Sequence, residues 1–452
     1  MRVYKPSGIK WLGEIPQGWE IKKLKYIGEI FGGVTGKTIK DFSKEYKPNF
    51  KPYITFTNVC NNAVINPDLM EYVFIDSKEK QNKVLKNDIL FLQSSETFED
   101  VGKSAIYLND DEVYLNTFCK GFRIKREAYS MYLNYLLSSL NYKRYFMSVC
   151  SGFTRINLRQ EHFLDIPLIL PPLQEQKEIA EFLDKKCEKI QNYIDKKQKL
   201  ITLLQEKKQA LINEVVTKGL NPNIEFKNSG IAYLGLIPHH WEVKKLKILF
   251  SLGNGLNITK QDFVSYGIPC VSYGEIHSKY PCRLDTSIHK LPYVSETYFA
   301  DKPQSLLTKG DFVFADTSED IEGSGNFTSI QSYMPVFAGY HTIILKPKIS
   351  EINDLYFSFL FDSFGIRSQI RKEVCGVKVF SITKSILKEI QCLLPPLQEQ
   401  KQIANFLDEK CEKINSAIEK TKRQITLIKE YKNTLINETV CGRINLQKKE
   451  RI

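Results

Sequence analysis

Ser7-Gly8-Ile9-Lys10-Trp11-Leu12-Gly13-Glu14-Ile15-Pro16-Gln17-Gly18-Trp19-Glu20 returns as Ser229-Gly230-Ile231-Ala232-Tyr233-Leu234-Gly235-Leu236-Ile237-Pro238-His239-His240-Trp241-Glu242. Lys22-Lys23-Leu24-Lys25 and Lys244-Lys245-Leu246-Lys247 follow in the same order. A second stretch, Leu170-Pro171-Pro172-Leu173-Gln174-Glu175-Gln176-Lys177, returns as Leu394-Pro395-Pro396-Leu397-Gln398-Glu399-Gln400-Lys401, and the likeness runs on to Leu211-Ile212-Asn213-Glu214 and Leu435-Ile436-Asn437-Glu438. The period, about 223 residues, far exceeds the roughly 20–50 of a solenoid, so whole domains are repeated. Between these ends the halves diverge, although Asn87-Asp88-Ile89-Leu90-Phe91 with Ser94-Ser95-Glu96 parallels Gly310-Asp311-Phe312-Val313-Phe314 with Thr317-Ser318-Glu319. Shared ends around unlike middles suit a pseudo-symmetric protein whose ends hold it together and whose middles bind two different things.

Working outward, the segment after each Leu-Pro-Pro-Leu carries apolar residues at heptad spacing. In the first copy these are Ala180, Leu183, Cys187, Ile190, Ile194, Ile201, Leu204, Leu211 and Val215, with Lys197 and Lys208 as polar breaks. In the second they are Ala404, Leu407, Cys411, Ile414, Ile418, Ile425, Ile428 and Leu435, broken at Thr421 and Lys432. Pro171-Pro172 and Pro395-Pro396 suit helix starts, and Gly219 before Asn221-Pro222 marks the end of the first helix. Some 44 helical residues span on the order of 65 Å, longer than a compact domain is wide. Two such helices most economically pack against each other in antiparallel sense. In the divergent middles, short β-like runs (Asp88 to Leu92, Gly310 to Ala315, Thr342 to Leu345) alternate with polar, glycine-bearing loops, which indicates mixed α and β domains.

With 452 residues, the chain exceeds one ordinary core. Hydrophobic residues at 42% and charged residues at 26% are those of a globular protein and exclude a fibrous or wholly disordered chain. The net charge of +12 leans toward a polyanionic partner. The ten cysteines form no C-x-x-C pair, so no metal site is expected. No apolar h-region follows Met1-Arg2-Val3-Tyr4-Lys5-Pro6, and no stretch approaches the roughly 18 apolar residues of a membrane span. A cytoplasmic location with reduced thiols is the expectation.

Catalytic signatures fail when counted. Both Pro-Pro pairs sit in Leu-Pro-Pro-Leu, not in the Asn/Asp-Pro-Pro-aromatic motif of an amino-methylating enzyme. Gly32-Gly33-Val34-Thr35-Gly36-Lys37-Thr38 falls short of a phosphate-binding loop, whose first glycine would be Phe31. We read it as a turn whose Lys37 could contact a DNA phosphate. Asp68, Asp76 and Lys78 mimic a divalent-metal nuclease signature, and a self-sufficient magnesium-dependent restriction endonuclease is the alternative they support. The six histidines never take metal spacing beside a carboxylate, and no G-x-S-x-G elbow is present. Binding chemistry is better represented. Ser94, Ser95 and Glu96, Thr317, Ser318 and Glu319, Arg155-Ile156-Asn157, and the run Tyr273-Gly274-Glu275-Ile276-His277-Ser278-Lys279 mix hydroxyls, bases and glycines between apolar strands. Such groups read base edges and hold phosphates. A coiled-coil scaffold that binds only protein is a third reading.

The opening Ser-Gly-Ile-x-[Trp/Tyr]-Leu-Gly-x-Ile-Pro-x-x-Trp-Glu, the Leu-Pro-Pro-Leu-Gln-Glu-Gln helix start and their duplication resemble type I restriction specificity subunits over essentially the whole chain. The resemblance implies an α+β fold: two mixed α/β target-recognition domains joined by two long helices in an antiparallel coiled coil, with an internal pseudo-twofold repeat. The implied divisions are residues 1–169 for the first recognition domain, 170–219 for the first long helix, 220–228 for a linker, 229–392 for the second recognition domain and 393–452 for the second long helix. Each domain would read one half of a split site in double-stranded DNA, and the coiled coil would set the gap. The chain itself would be non-catalytic and without a cofactor. S-adenosylmethionine would sit on modification (methyltransferase) subunits, and ATP and magnesium on restriction subunits. Gly253-Asn254-Gly255-Leu256-Asn257-Ile258-Thr259-Lys260 and Ala338-Gly339-Tyr340-His341-Thr342 also look like recognition-domain segments of this family, which adds Asn257 and Lys260 to the DNA-binding candidates. Gly152-Phe153-Thr154-Arg155 resembles the family turn, whereas Gly376-Val377-Lys378-Val379 departs from it, with Lys378 as its basic residue.

Because the heptad register is continuous, inserting whole heptads before Ile201 and before Ile425 should lengthen the unread spacer of the DNA site and leave both half-sites unchanged. Sequencing the methylated sites checks this, and an unchanged spacer would count against the helices as the ruler.

Overall fold

A computed structural model describes residues 2–231, 234–279, 282–374, 376 and 379–446. The chain divides into two compact units, Met1–Lys197 with Lys422–Ile452, and Gln198–Thr421. Each unit thus takes part of both long helices, a division that the linear boundaries at 169 and 392 do not anticipate.

In the first unit the opening segment folds back on itself, Tyr4–Pro6 against Glu14–Pro16. Glu20–Lys23 then pairs antiparallel with Pro167–Leu170, so the start and end of the recognition domain close on one another. Between them lies a four-stranded sheet in the order Ser104–Ile106, Ile89–Leu92, Cys119–Ile124, Gly28–Gly32. A second four-stranded sheet runs Tyr114–Leu115, Phe50–Ile54, Glu71–Phe74, Phe42–Ser43. Ile89–Leu92 is buried at every position, as expected of an apolar run in a sheet covered on both faces. Phe91 meets Phe163 and Phe146 at ring-centroid distances of 5.2 and 6.2 Å, joining the sheet to the helices that follow it.

The second unit repeats the plan. Glu242–Lys245 pairs antiparallel with Gln391–Leu394. A five-stranded sheet runs Phe250–Asn254, Thr342–Pro347, Phe312–Ala315, Phe327–Ile330, Cys282–Leu284, and a four-stranded sheet runs Tyr293–Val294, Ile268–Val271, Val336–Ala338, Leu306–Leu307. Phe361 packs on Phe312, Phe314 and Phe327. The paired motifs read in the sequence become one turn: Asn87 and Gly310 both take the left-handed conformation, where glycine and asparagine are the least strained residues. Asp88 then accepts from the Leu85 amide (2.8 Å), and Asp311 from the Thr308 amide (2.9 Å). Burial raises the Asp311 carboxyl above its usual range, while Asp88 holds Arg123 at 2.6 Å.

The long helices are Leu173–Lys218, 46 residues, and Leu397–Val440, 44 residues. In each unit they run antiparallel. In the first, buried Tyr132 donates from its hydroxyl to Ile169 O, just ahead of the first helix, and to Val440 O, the last residue of the second (2.8 and 3.4 Å). In the second unit, Lys208 reaches Asn415 at 3.0 Å, and Gly219, just past the end of the first helix, lies against Glu399 near the start of the second. The seam is buried at Ala180, Leu183, Cys187, Ile190, Ile194 and Ile201, and at Ala404, Leu407, Cys411, Ile418, Ile425 and Leu435. Leu204, Leu211, Ile414 and Ile428 are half-buried. Toward the end of the first helix the buried face moves to Ile212, Val215 and Val216, which join the core around Trp241 and Phe361. There the helix is covered by the recognition domain as well as by its partner helix, so its apolar stripe is wider than a two-helix seam. Thr421 is tolerated in the seam because its hydroxyl donates to Ala417 O of its own helix, 2.7 Å away. No described helix is long and apolar enough to cross a membrane.

The repeated glutamines of the helix starts are buried. Gln176 donates to Pro171 O (2.8 Å) and accepts from Tyr129 N (2.9 Å). Gln400 donates to Pro395 O and Glu351 O, both at 2.8 Å, and accepts from Asn353 N at 3.0 Å. Gln400→Ala removes the partner of three backbone groups, the buried Pro395 carbonyl and the part-buried Glu351 carbonyl and Asn353 amide, at roughly 1–3 kcal/mol for a group left unpaired away from water. We expect a clear fall in the urea midpoint, larger than for Gln176→Ala, where two groups are stranded.

Candidate nucleic-acid interface

In the second unit the strand Phe250–Asn254 leads into the loop that carries Asn257 and Lys260. This loop ends in a tight turn in which the Thr259 amide and hydroxyl donate to Asp262 (2.7 and 3.0 Å), holding that carboxyl below its usual range. The first unit builds the same turn from Thr38 and Asp41, whose carboxyl is lowered for the same reason. Tyr273–Ser278 is a short helix begun by a capping box of Ser272 and Glu275. Around these elements lie two adjoining clefts. One, of 820 Å³, is lined by Lys260, Tyr273, His277, Lys279, Thr317, Ser318 and Glu319 among others. The other, of 810 Å³, takes in Asn257, Lys260, Tyr273, Asp316, Tyr340 and His341. Lys260, Tyr273 and Tyr340 belong to both. Eight of the sequence candidates therefore converge on one surface.

They do not all have free hydrogen-bonding groups. His277 Nε2 lies 2.8 Å from the Thr317 carbonyl, an acceptor, so this nitrogen carries the proton and Nδ1 accepts from Asn326 at 2.9 Å. Asn326 is held in turn by Arg367 (2.9 Å), and Arg367 by Asp362. His277 thus fixes the cleft wall and offers no ring nitrogen to a ligand. Ser318 is buried and its hydroxyl accepts from Asp320 N, whereas Glu319 and Lys279 are exposed. Asp316 and His341 were outside the sequence-based set. The Asp316 carboxylate accepts from Thr317 Oγ1 (2.7 Å) and from His341 Nδ1 (3.2 Å). The available signal was Asp316 immediately before the chosen Thr317, and His341 inside the family-like Ala338 to Thr342 segment.

In the first unit Ser94–Ser95 pairs antiparallel with Ile156–Asn157, which brings Glu96 and Arg155 into one neighbourhood. The second unit has the equivalent pair, Thr317–Ser318 with Phe380–Ser381. Ser94 and Ser95 are buried, and Ser95 Oγ accepts from Thr97 N. Glu96, Arg155 and Asn157 are exposed. The Arg155 guanidinium stacks over the Phe118 ring at 4.4 Å. Gly152, at φ 141°, lets the turn close: a Cβ there would lie 2.0 Å from Arg155 O, and one on Gly376 would meet Val379 O at 2.1 Å. The Gly152–Arg155 and Gly376–Val379 contacts thus correspond, with valine in the second unit where the first has Arg155. At the tip of the first turn, Phe153 is 100% exposed. Lys378 lies outside the described residues.

Lys37 requires a correction. Its side chain is 4% exposed and its ammonium is paired with Glu79, so it is neutralised within the protein rather than offered to a phosphate. Counted from the shared turn, Lys37 stands where the second unit has buried Ile258, and exposed Lys260 corresponds to Ile39, 93% exposed. The lysine is one alternation out of place for a solvent-facing contact. The nuclease-like pattern is also accounted for locally. Asp76 accepts from the Lys78 amide (2.8 Å), and Asp68 sits in the 3-10 turn Pro67–Leu69. Among the described residues no group of three or more His, Cys, Asp or Glu could hold a metal ion.

The sequence model of the type I restriction modification DNA specificity domain matches residues 16–204 and again 238–427. The chain belongs to this family and carries its domain twice. It is 25% identical to the type I restriction enzyme MjaVIII specificity subunit of Methanocaldococcus jannaschii, over 99% of this chain and 98% of that one. It is 28% identical to the same organism's putative type I restriction enzyme MjaX specificity subunit, over 99% of each. Among solved structures, one described under complex assembly and conformational transition of the type I R-M system superposes with a TM-score of 0.71 at 14% identity, covering 95% of this chain and 99% of that one. That likeness establishes the shared fold.

Proposed function

We propose that this chain is the sequence-reading subunit of a type I restriction and modification complex. Each recognition domain reads one half of a split site in double-stranded DNA, and the number of unread base pairs between the halves follows the length of the paired helices. The observation that carries this reading is the doubled specificity domain, whose second copy gathers exposed lysines, hydroxyls and amides around two adjoining clefts. In this reading the chain is non-catalytic and acts in the cytoplasm. Modification subunits bring S-adenosylmethionine and methylate adenine, and restriction subunits bring the ATP- and magnesium-dependent steps. Asn257, Lys260, Lys279 and Glu319 in the second domain, and Glu96, Arg155 and Asn157 in the first, are the exposed candidates for DNA contact. Ser94, Ser95, Tyr273, His277, Thr317 and Ser318 shape the surface that holds them.

The deciding experiment is single-molecule sequencing for N6-methyladenine in a host without that methylation, expressing the chain with and without its modification subunit. A split motif that needs both proteins supports the proposal. Methylation by the chain alone, or none when the two proteins are soluble and associated, overturns it.

Cation placement gives a second test. Lys260→Ala should weaken DNA binding and reduce the slope of log K against log salt by about 0.9, one phosphate contact. Lys37→Ala should leave that slope unchanged, because the Lys37 ammonium is already paired with Glu79. Fluorescence anisotropy with a duplex carrying the motif, at several salt concentrations, measures both.

A further inference from the structure

The two recognition domains carry different side chains on one shared pattern of backbone hydrogen bonds. In the first, Gln93 N donates to Phe118 O (3.0 Å) and Leu158 N to Gln93 O (2.9 Å). In the second, Asp316 N donates to His341 O (3.1 Å) and Ile382 N to Asp316 O (2.7 Å). Phe118 and His341 therefore occupy the same point of the fold, with Gln93 and Asp316 beside them. Arg155 and Val379 correspond in the neighbouring turn, as the matching glycine contacts require.

The chemistry at this point differs between the halves. In the first domain Phe118 is a platform. The Arg155 guanidinium lies over its ring and makes no ion pair among the described residues, so a planar donor fork is pre-oriented with its edge free. In the second domain the arginine is absent and the ring is itself polar. His341 Nδ1 faces the Asp316 carboxylate, which only accepts, so Nδ1 carries a proton. In the neutral ring that leaves Nε2 as an acceptor, and it has no protein partner among the described residues. The imidazole is 56% exposed on the cleft, flanked by Tyr273 at 5.4 Å and Tyr340 at 5.9 Å. His341 is also one of only four non-glycine residues with positive φ among those described (56°), a conformation that carries backbone strain and is enriched at functional sites.

We propose that this shared position determines specificity in both halves: Arg155, stacked on Phe118, reads a guanine through O6 and N7, and His341, held by Asp316, reads an adenine or cytosine through its exocyclic amine. The inference rests on the DNA-reading function proposed above and assigns the residues that make its two half-sites differ.

The test expresses the full chain with its modification subunit and reads the methylated motif for Arg155→Ala, His341→Gly and His341→Asn. Glycine and asparagine both tolerate the backbone at position 341, so folding is preserved while the reader changes. Arg155→Ala should cut discrimination at one guanine of one half-site by roughly 10- to 100-fold. His341→Gly should do the same at one adenine or cytosine of the other half-site, and His341→Asn should shift that position toward adenine, which a carboxamide reads with both its groups. Relaxation by both residues in the same half-site overturns the proposal, as does a His341→Gly motif identical to the wild type. So does a variant that loses only its association with the modification subunit, which would mark a protein contact. A wild-type complex that yields no split motif overturns the functional reading and this inference with it, whereas an intact wild-type motif isolates the inference.

Discussion

Each long helix begins where two prolines present carbonyls but no amides, and a buried glutamine one turn on answers them. Gln176 and Gln400 bond the first proline's carbonyl and, with the other end of the carboxamide, the backbone amide just ahead of the recognition domain's own helix, at Tyr129 and Asn353. One side chain thus ties the direction of the long helix to the body of the domain. A helix of 46 residues reaches about 70 Å, and a small angular error at its root becomes a large displacement at its far end. The strand that leads into each root is itself paired, Pro167–Leu170 with Glu20–Lys23 and Gln391–Leu394 with Glu242–Lys245, which fixes the chain just ahead of the helix.

Beyond the root the helices rely on a narrow seam. Isolated helices gain little from propensity alone, and their order comes from the apolar face they bury. Three of the four polar breaks in the seam are accommodated by local contacts: Thr421 bonds its own helix, Lys208 reaches Asn415, and Lys197 lies over the Tyr193 ring at 5.3 Å.

The repeat, the long helices and their seam were legible because they are local and periodic. Residues such as Leu183, Ile194, Leu407 and Ile425 announce themselves by spacing alone. The site was legible only in part. That Ser94 meets Asn157, or Thr317 meets Ser381, depends on strand pairing across long stretches of chain, which no local pattern encodes. Lys37 and Lys260 look alike as loop lysines, yet an offset of two positions in the same turn puts one in an internal ion pair and the other on the cleft. His277 reads in the sequence as a polar loop residue, yet it lies on the short helix Tyr273–Ser278. Its occupation by Thr317 and Asn326 is a tertiary fact.

The same contrast explains how one frame can hold two different contents. The bonds that define the frame around the binding surface are made by backbone amides and carbonyls: Gln93 with Phe118 and Leu158 in one domain, Asp316 with His341 and Ile382 in the other. Such bonds are indifferent to the side chains on the residues that make them. A phenylalanine can therefore be exchanged for a histidine, or an arginine for a valine, without loss of a frame hydrogen bond. The one restriction is conformational, since the second domain places His341 at positive φ while Phe118 is not among the residues in that region. Folding is thus carried by the repeated parts (the tryptophan-bearing opening, the closing strand, the glutamine at the helix root), and the surface side chains are left free to diverge. In a protein that carries its specificity domain twice, that separation lets the contents of each domain change while its frame stays the same.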